Sequence, residues 1–108
     1  MKNDELFIFA EKLMQECLDT LKKKNHDYAG DSGLDALKNF KLVEYLNITE
    51  TSTGILVRMC DKMSRLANVY HGGNLVKNES CEDTGKDLIN YIIILLASIQ
   101  EKGANNAK

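Results

Sequence analysis

The sequence predicts an all-α, four-helix bundle-like domain, and three observations carry that prediction. There is no proline anywhere in the 108 residues. Apolar residues recur at three- and four-residue spacing over four separate stretches, which is the period of one helix face. The seven glycines fall mostly in short clusters that punctuate those stretches. A chain of this length holds one core. The reading is therefore a single helical domain over 1–102, followed by a flexible tail over 103–108.

The first helix is expected from about Asp4 to Lys24, with Leu6, Ala10, Leu13, Cys17 and Leu21 on one face. Asp4 and Glu5 suit its positive end, and the run Lys22, Lys23, Lys24 suits its negative end. That run reads more simply as a solvated helix terminus than as an anion site. "NHDYAGDSG" breaks the pattern and reads as a loop. A shorter second helix follows over about Leu34 to Leu46, turning Leu37, Phe40 and Val43 inward, with Leu46 as a further candidate for that face. "NITETSTG" is the next break. The third helix is expected over roughly Thr53 to Tyr70, with Ile55, Met59, Leu66, Val69 and Tyr70 on one face and Gly72 and Gly73 as its stop. The fourth runs from about Ser80, which with Asp83 resembles a capping box, to Lys102. Its inward face is Leu88, Tyr91, Ile92, Leu95 and Ile99. A second flank, Ile89, Ile93 and Leu96, needs cover as well, and predicts a homo-oligomer built through this helix.

Composition narrows the function. The net charge is −2 and aromatic residues make up 6% of the chain. Neither a clamp of bulk positive charge nor a base-stacking platform for nucleic acid fits those values. Cys17, Cys60 and Cys81 form no CxxC pair, so they read as packing thiols in a reducing compartment. The start "MKNDELFIFA" is acidic where a secretion signal is basic, and "IIILLASI" is far shorter than the roughly 20 apolar residues of a membrane span. The expectation is a cytoplasmic protein with no membrane partner.

The charged residues of the last two helices do not fit a plain bundle. Glu79, Asp83 and Asp87 follow at spacing four, with Asn90 three further on, so all four share one stripe. Like charges at that spacing repel unless something positive answers them. Acids at a helix start are ordinary decoration, which accounts for Glu79, Glu82 and Asp83, but Asp87 lies about two turns in. A cation site is the alternative. On helix three, "RMCDKMSRL" places Arg58, Asp61, Lys62 and Arg65 within two turns. Lys62 falls among Ile55, Leu66 and Val69; it either extends its charge past the core edge or meets an aspartate of helix four or a ligand phosphate. Arg58 and Arg65 are the only arginines, and their planar forks suit phosphate as well as they suit surface carboxylates. In the first loop, His26 reads as solvated. Asp27 and Tyr28 suit a turn, Tyr28 could equally stack on a base, and Asn39 and Phe40 border the same cleft.

Taken together, "KNHDYAGDS", "ALKNF", "GILVRMCDKMSRL" and "NESCEDTGKDLINYIIIL" resemble the phage and bacterial family called nucleotide modification associated domain 1, over most of residues 24 to 95. That family is in turn similar to the all-α nucleoside triphosphate pyrophosphatases of the MazG and dimeric dUTPase group. The resemblance implies an oligomeric, Mg²⁺-dependent cleavage of a nucleoside triphosphate to monophosphate and pyrophosphate. It implies Glu79, Asp83 and Asp87 as metal ligands and Asp61, Asp83 and Asp87 as the catalytic carboxylates. Arg58, Lys62 and Arg65 would neutralise phosphates. Lys24, Asn25, Asp27, Tyr28, Asn39, Asn90 and Tyr91 would complete the contacts to the nucleotide. Where those enzymes carry E-E-x-x-E, this chain has "RMCDKMSR", with one carboxylate. A second reading is thus a nucleotide binder without turnover, one that sequesters a nucleotide such as a host-defence signal. A third is a structural module whose charges merely pair between helices.

Overall fold

α1 (Asn3–Ala29) begins with Asp4 and Glu5 in its first turn and meets no strong breaker before Gly30. The computed structural model describes residues 1–29, 35–72 and 78–106, with side chains at 26–29, 78–80 and 105–106 outside that description. The other elements are α2 (Leu42–Tyr45), α3 (Thr51–His71) and α4 (Asn78–Asn106). The fold class is all-α, and no strand occurs among the described residues. No described helix is long and apolar enough to cross a membrane.

Three elements differ from the sequence expectation. Asn25 to Ala29 continue α1 instead of opening a loop. Asn, His, Asp and Tyr are only mediocre helix formers, each less favourable than Ala by under about 0.7 kcal/mol, so a formed helix runs through them. At its far end α4 passes Lys102 and Gly103 and reaches Asn106. It also starts before Ser80, which therefore lies in the first turn and not at a cap. The largest difference is the second helix. In place of one helix over 34–46, residues 36–41 form turns and α2 is a single helical turn.

The cause of that difference is local. Asp35 Oδ1 accepts the Leu37 N–H at 2.9 Å. Bonds from Lys38 N–H to the Asp35 carbonyl and from Phe40 N–H to the Leu37 carbonyl then close three-residue turns. An aspartate that satisfies the backbone two residues on competes with regular helix. The end of α2 is equally specific. Asn47 has φ 57°, a left-handed conformation that Asn tolerates better than most residues. Ile48 N–H reaches back to the Val43 carbonyl and Asn47 N–H to the Glu44 carbonyl, which together make a Schellman stop. Leu46 is exposed there, as is Tyr70 at the end of α3.

α3 starts without a cap from its own N-terminal residue. Glu44 of α2 supplies one, its carboxylate accepting the Thr51 N–H at 3.1 Å. A carboxylate at that end also meets the positive pole of the helix. Gly54 allows α2 to lie close, since a Cβ there would stand 2.8 Å from Val43 Cγ2.

α3 and α4 form the main pair. Glu50 meets Lys102, Ser52 meets Ser98 at 3.1 Å, and Lys62 meets Asp87 at 3.0 Å. Rising numbers on α3 meet falling numbers on α4, so the two are antiparallel. α1 touches α4 over a short stretch, through Glu16 to Lys86, Asn90 to the Cys17 carbonyl, and Lys24 to Asp87. It crosses α4 instead of running along it. The fully buried side chains of this framework are Ile55 and Cys17; Leu37 is the remaining buried apolar residue among those described. Cys60 is exposed and Cys81 half-buried, so of the three thiols only Cys17 is a core residue. Burial pushes the Cys17 thiol above its ordinary value.

Candidate functional site: a cation-lined cavity between α1, α3 and α4

A cavity of about 650 Å³ opens where α1 crosses α4, a size within the range of small-molecule sites. The end of α1 gives it Lys24 and Asn25. The turns after Asp35 give it Asn39 and Phe40. α3 contributes Arg58, and α4 contributes Asp87, Asn90 and Tyr91. These residues are far apart in sequence, and the contacts of α1 with α4 bring them together.

Asp87 is the hub. Its Oδ1 accepts from Lys24 Nζ at 3.1 Å and its Oδ2 from Lys62 Nζ at 3.0 Å. One carboxylate thereby ties α1 and α3 to α4. Burial pushes its pKa up, but the hydrogen bonds from Lys62 and Lys24 outweigh burial and hold it below the usual aspartate value. Of the two sequence alternatives for Lys62, the structure shows the pairing with a helix-four aspartate.

The walls combine charge with aromatic edges. The Arg58 guanidinium lies over the Phe40 ring, 4.9 Å from its centroid, which fixes a flexible side chain against a flat apolar surface. Phe40 meets Tyr91 edge to face, with centroids 6.2 Å apart. Asn90 is buried, and its Nδ2 donates to the Cys17 carbonyl at 3.1 Å. That bond orients the amide, since the opposite flip would set two acceptors face to face. Its Oδ1 has no partner among the described residues.

Among the described residues, four cations line the cavity, Lys22, Lys24, Lys38 and Arg58, against two carboxylates, Asp35 and Asp87. Asp35 is itself engaged by Lys41, whose hydrogen bond holds that carboxyl below its usual value. The local balance is thus positive in a chain whose net charge is −2. Lys38 was not singled out in the sequence, and Lys22 was read with its neighbours as a solvated helix end, although both line the cavity. Nothing in their spacing separates them from solvated lysines, and only the folded positions of α1 and of the 36–41 turns assign them to the cavity.

Other expected residues are not gathered here. Asp61, Arg65 and Asp83 are exposed and do not line the cavity. Arg65 lies seven residues beyond Arg58, about 10 Å further along α3. Asp27, Tyr28 and Glu79 belong to the ends of α1 and α4, and their side chains lie outside the described residues. Among the described residues, no group of three His, Cys, Asp or Glu is assembled that could hold a metal ion. The described carboxylates therefore do not by themselves fit a three-carboxylate Mg²⁺ cage, because Asp87 spends both oxygens on lysines.

No family model, curated protein or solved structure matches this chain.

Proposed function

We infer that the cavity binds a phosphate-bearing nucleotide, and that it does so without needing a metal. The observation that carries this reading is the local excess of cations at a site where segments of α1, α3, α4 and the 36–41 turns converge. Lys24 and Arg58 meet the phosphates in this reading. Lys62 neutralises Asp87, so that a phosphate can draw Lys24 away from that carboxylate. Asn25 and Asn39 offer amides to the sugar or base, and Tyr91 and Phe40 supply an apolar edge. A guanidinium held on a ring is pre-ordered for forked contact with phosphate oxygens. The biological outcome of binding without turnover is sequestration of the nucleotide.

A second reading is Mg²⁺-dependent cleavage of a nucleoside triphosphate, favoured by the succession Asp83 and Asp87 one turn apart on α4 with Glu79 one turn before them. It requires Asp87 to exchange its lysines for a metal. In both readings the working unit is a homo-oligomer in which a bundle is completed by a second copy, supported by the exposure of Ile92, Ile93, Leu96 and Ile99 on α4.

One experiment separates these readings. A panel of nucleoside mono-, di- and triphosphates is incubated with the protein with and without Mg²⁺, following thermal shift and product release. Stabilisation with intact ligand and no metal requirement is expected. Asp87→Asn then discriminates further. A binder keeps or gains affinity, because a carboxylate competing with phosphate for Lys24 and Lys62 is gone; a hydrolase loses its Mg²⁺-dependent signal. If no nucleotide shifts the melting transition, the charges only pair between helices and the site reading fails.

A further inference from the structure

The N-terminal half of α1 presents four successive large apolar residues to solvent. Leu6, Phe7, Ile8 and Phe9 are 48%, 58%, 68% and 53% exposed. At 3.6 residues per turn, four successive residues sweep about 300° of a helix. Asp4, Glu5, Glu11, Lys12 and Gln15 give the segment a polar side, but Phe9, Leu6, Met14 and Phe7 form a wide apolar face beside it that has no cover within the described chain, and Ile8 is exposed as well. Further along α1, Phe7, Met14 and Leu18 continue as an exposed stripe at spacings of seven and four. The face on α4 is a different one, made by Cys17 and its neighbours. The bonds from α1 to α4 begin at Glu16, so the first turns stand clear of the body.

The whole chain shows the same shortage of cover. It exposes 8315 Å², whereas a compact monomer of 12.1 kDa exposes about 6,000 Å². Its radius of gyration is 16.1 Å, against about 13 Å for a compact domain of this length. The surplus is roughly 2,000 Å² per chain, or roughly 4,000 Å² for two, which falls within the range of obligate homodimer interfaces.

We propose that the N-terminal half of α1 is an arm buried against a second copy of this chain, in an obligate homodimer. A second copy is the occupant the areas favour. Each chain carries both a greasy arm and a greasy flank on α4 (Ile92, Ile93, Leu96 and Ile99 are exposed). A two-fold pairing therefore covers both surfaces twice. The proposal does not depend on what the cavity binds.

The test uses the full chain. Sedimentation at micromolar concentration should give a dimer, and melting should move up by roughly 3 °C for each tenfold rise in concentration. Amide exchange over residues 6–10 should slow as concentration rises. Phe7→Lys combined with Phe9→Lys should abolish the dimer, whereas Tyr45→Lys, an exposed aromatic on α2, should leave it intact. Should the double variant fail to fold, amide exchange of the wild type still decides. A monomer with a concentration-independent cooperative melt overturns the proposal. So does a dimer whose arm amides exchange freely. So does a monomer that cosediments with phosphatidylglycerol vesicles, since lipid would then be what covers the arm.

Discussion

From Leu13 to Asn25, α1 is held by specific polar bonds: Glu16 to Lys86, the Cys17 carbonyl to Asn90, and Lys24 to Asp87. From Asn3 to Phe9 the same helix is exposed on every side and carries four large apolar residues in a row. Directional bonds fix one orientation and so can set the geometry of a cavity. Apolar area is non-directional and only asks to be covered. On the proposed function and the proposed dimer, the C-terminal half of α1 serves the ligand and the N-terminal half serves assembly.

The substitution with the largest expected effect is Phe9→Ala. If the arm is buried in a dimer, losing the ring costs about 3 kcal/mol, as for aromatic truncations in a core. The melting point then falls by more than about 10 °C for a chain of this size. If the arm is solvated in a monomer, the change stays within about 0.5 kcal/mol. Thermal melts of Phe9→Ala beside Tyr45→Ala, with nucleotide affinity measured in parallel, decide the matter. Affinity per folded protein should not change, because Phe9 is not among the residues lining the cavity.

Asp87→Asn strikes the other half. It removes both lysine pairs from a half-buried carboxylate and should cost about 1–2 kcal/mol. The same bonds give a pH dependence with a definite sign. Asp87, Asp35 and Glu16 are all held below their ordinary values, mainly by hydrogen bonds from Lys62 and Lys24, from Lys41, and from Lys86 respectively. A depressed carboxyl contributes stability that is complete above its unfolded pKa and is lost as pH falls through the folded one. Stability should therefore hold down to about pH 5 and decline below about pH 4. In Asp87→Asn the acid decline should be shallower. A decline of unchanged steepness would mean that the two lysines contribute nothing through Asp87.

How far the sequence could be read follows the same division. Helices α3 and α4 were legible because an apolar stripe repeated over five turns outweighs any single residue, and Gly72 does end α3. The second helix was not, because one side-chain bond from Asp35 to the Leu37 N–H redirects the chain, and residue type does not reveal whether an aspartate will make it. At the site, a lysine on the apolar face of α3 left its partner open in the sequence, and the structure shows Lys62 paired with Asp87 of α4. Lys22 and Lys38 could not be picked out, since their place depends on where α1 crosses α4 and a crossing angle leaves no mark in residue spacing. The greasy flank of α4 was visible in part: Ile93 and Leu96 belong to the second stripe, whereas Ile92 and Ile99, read as inward, are exposed and Ile89 is half-buried. The arm of α1 was not, because "LFIF" satisfies a one-face pattern through Leu6 alone and hides that its neighbours have nothing to cover them.

The smallest expected effect sits between the two regions, at Gly85. It lies within α4, one residue before Lys86 and two before Asp87, and a Cβ built there meets nothing within 4 Å. Glycine inside a helix costs about 1 kcal/mol relative to alanine, largely through the freedom it gives the unfolded chain. Gly85→Ala should therefore stabilise the protein by about 0.5–1 kcal/mol, seen as a rise in melting temperature at fixed concentration. If the glycine serves only the backbone, nucleotide affinity and the dimer should both be unchanged. If stability rises while affinity falls, the start of α4 has to bend when ligand enters, and the directional half of the molecule moves more than its bonds suggest. Loss of the dimer with affinity retained would instead put open-looking space at Gly85 under the partner subunit, and would shift the boundary between the two regions onto α4.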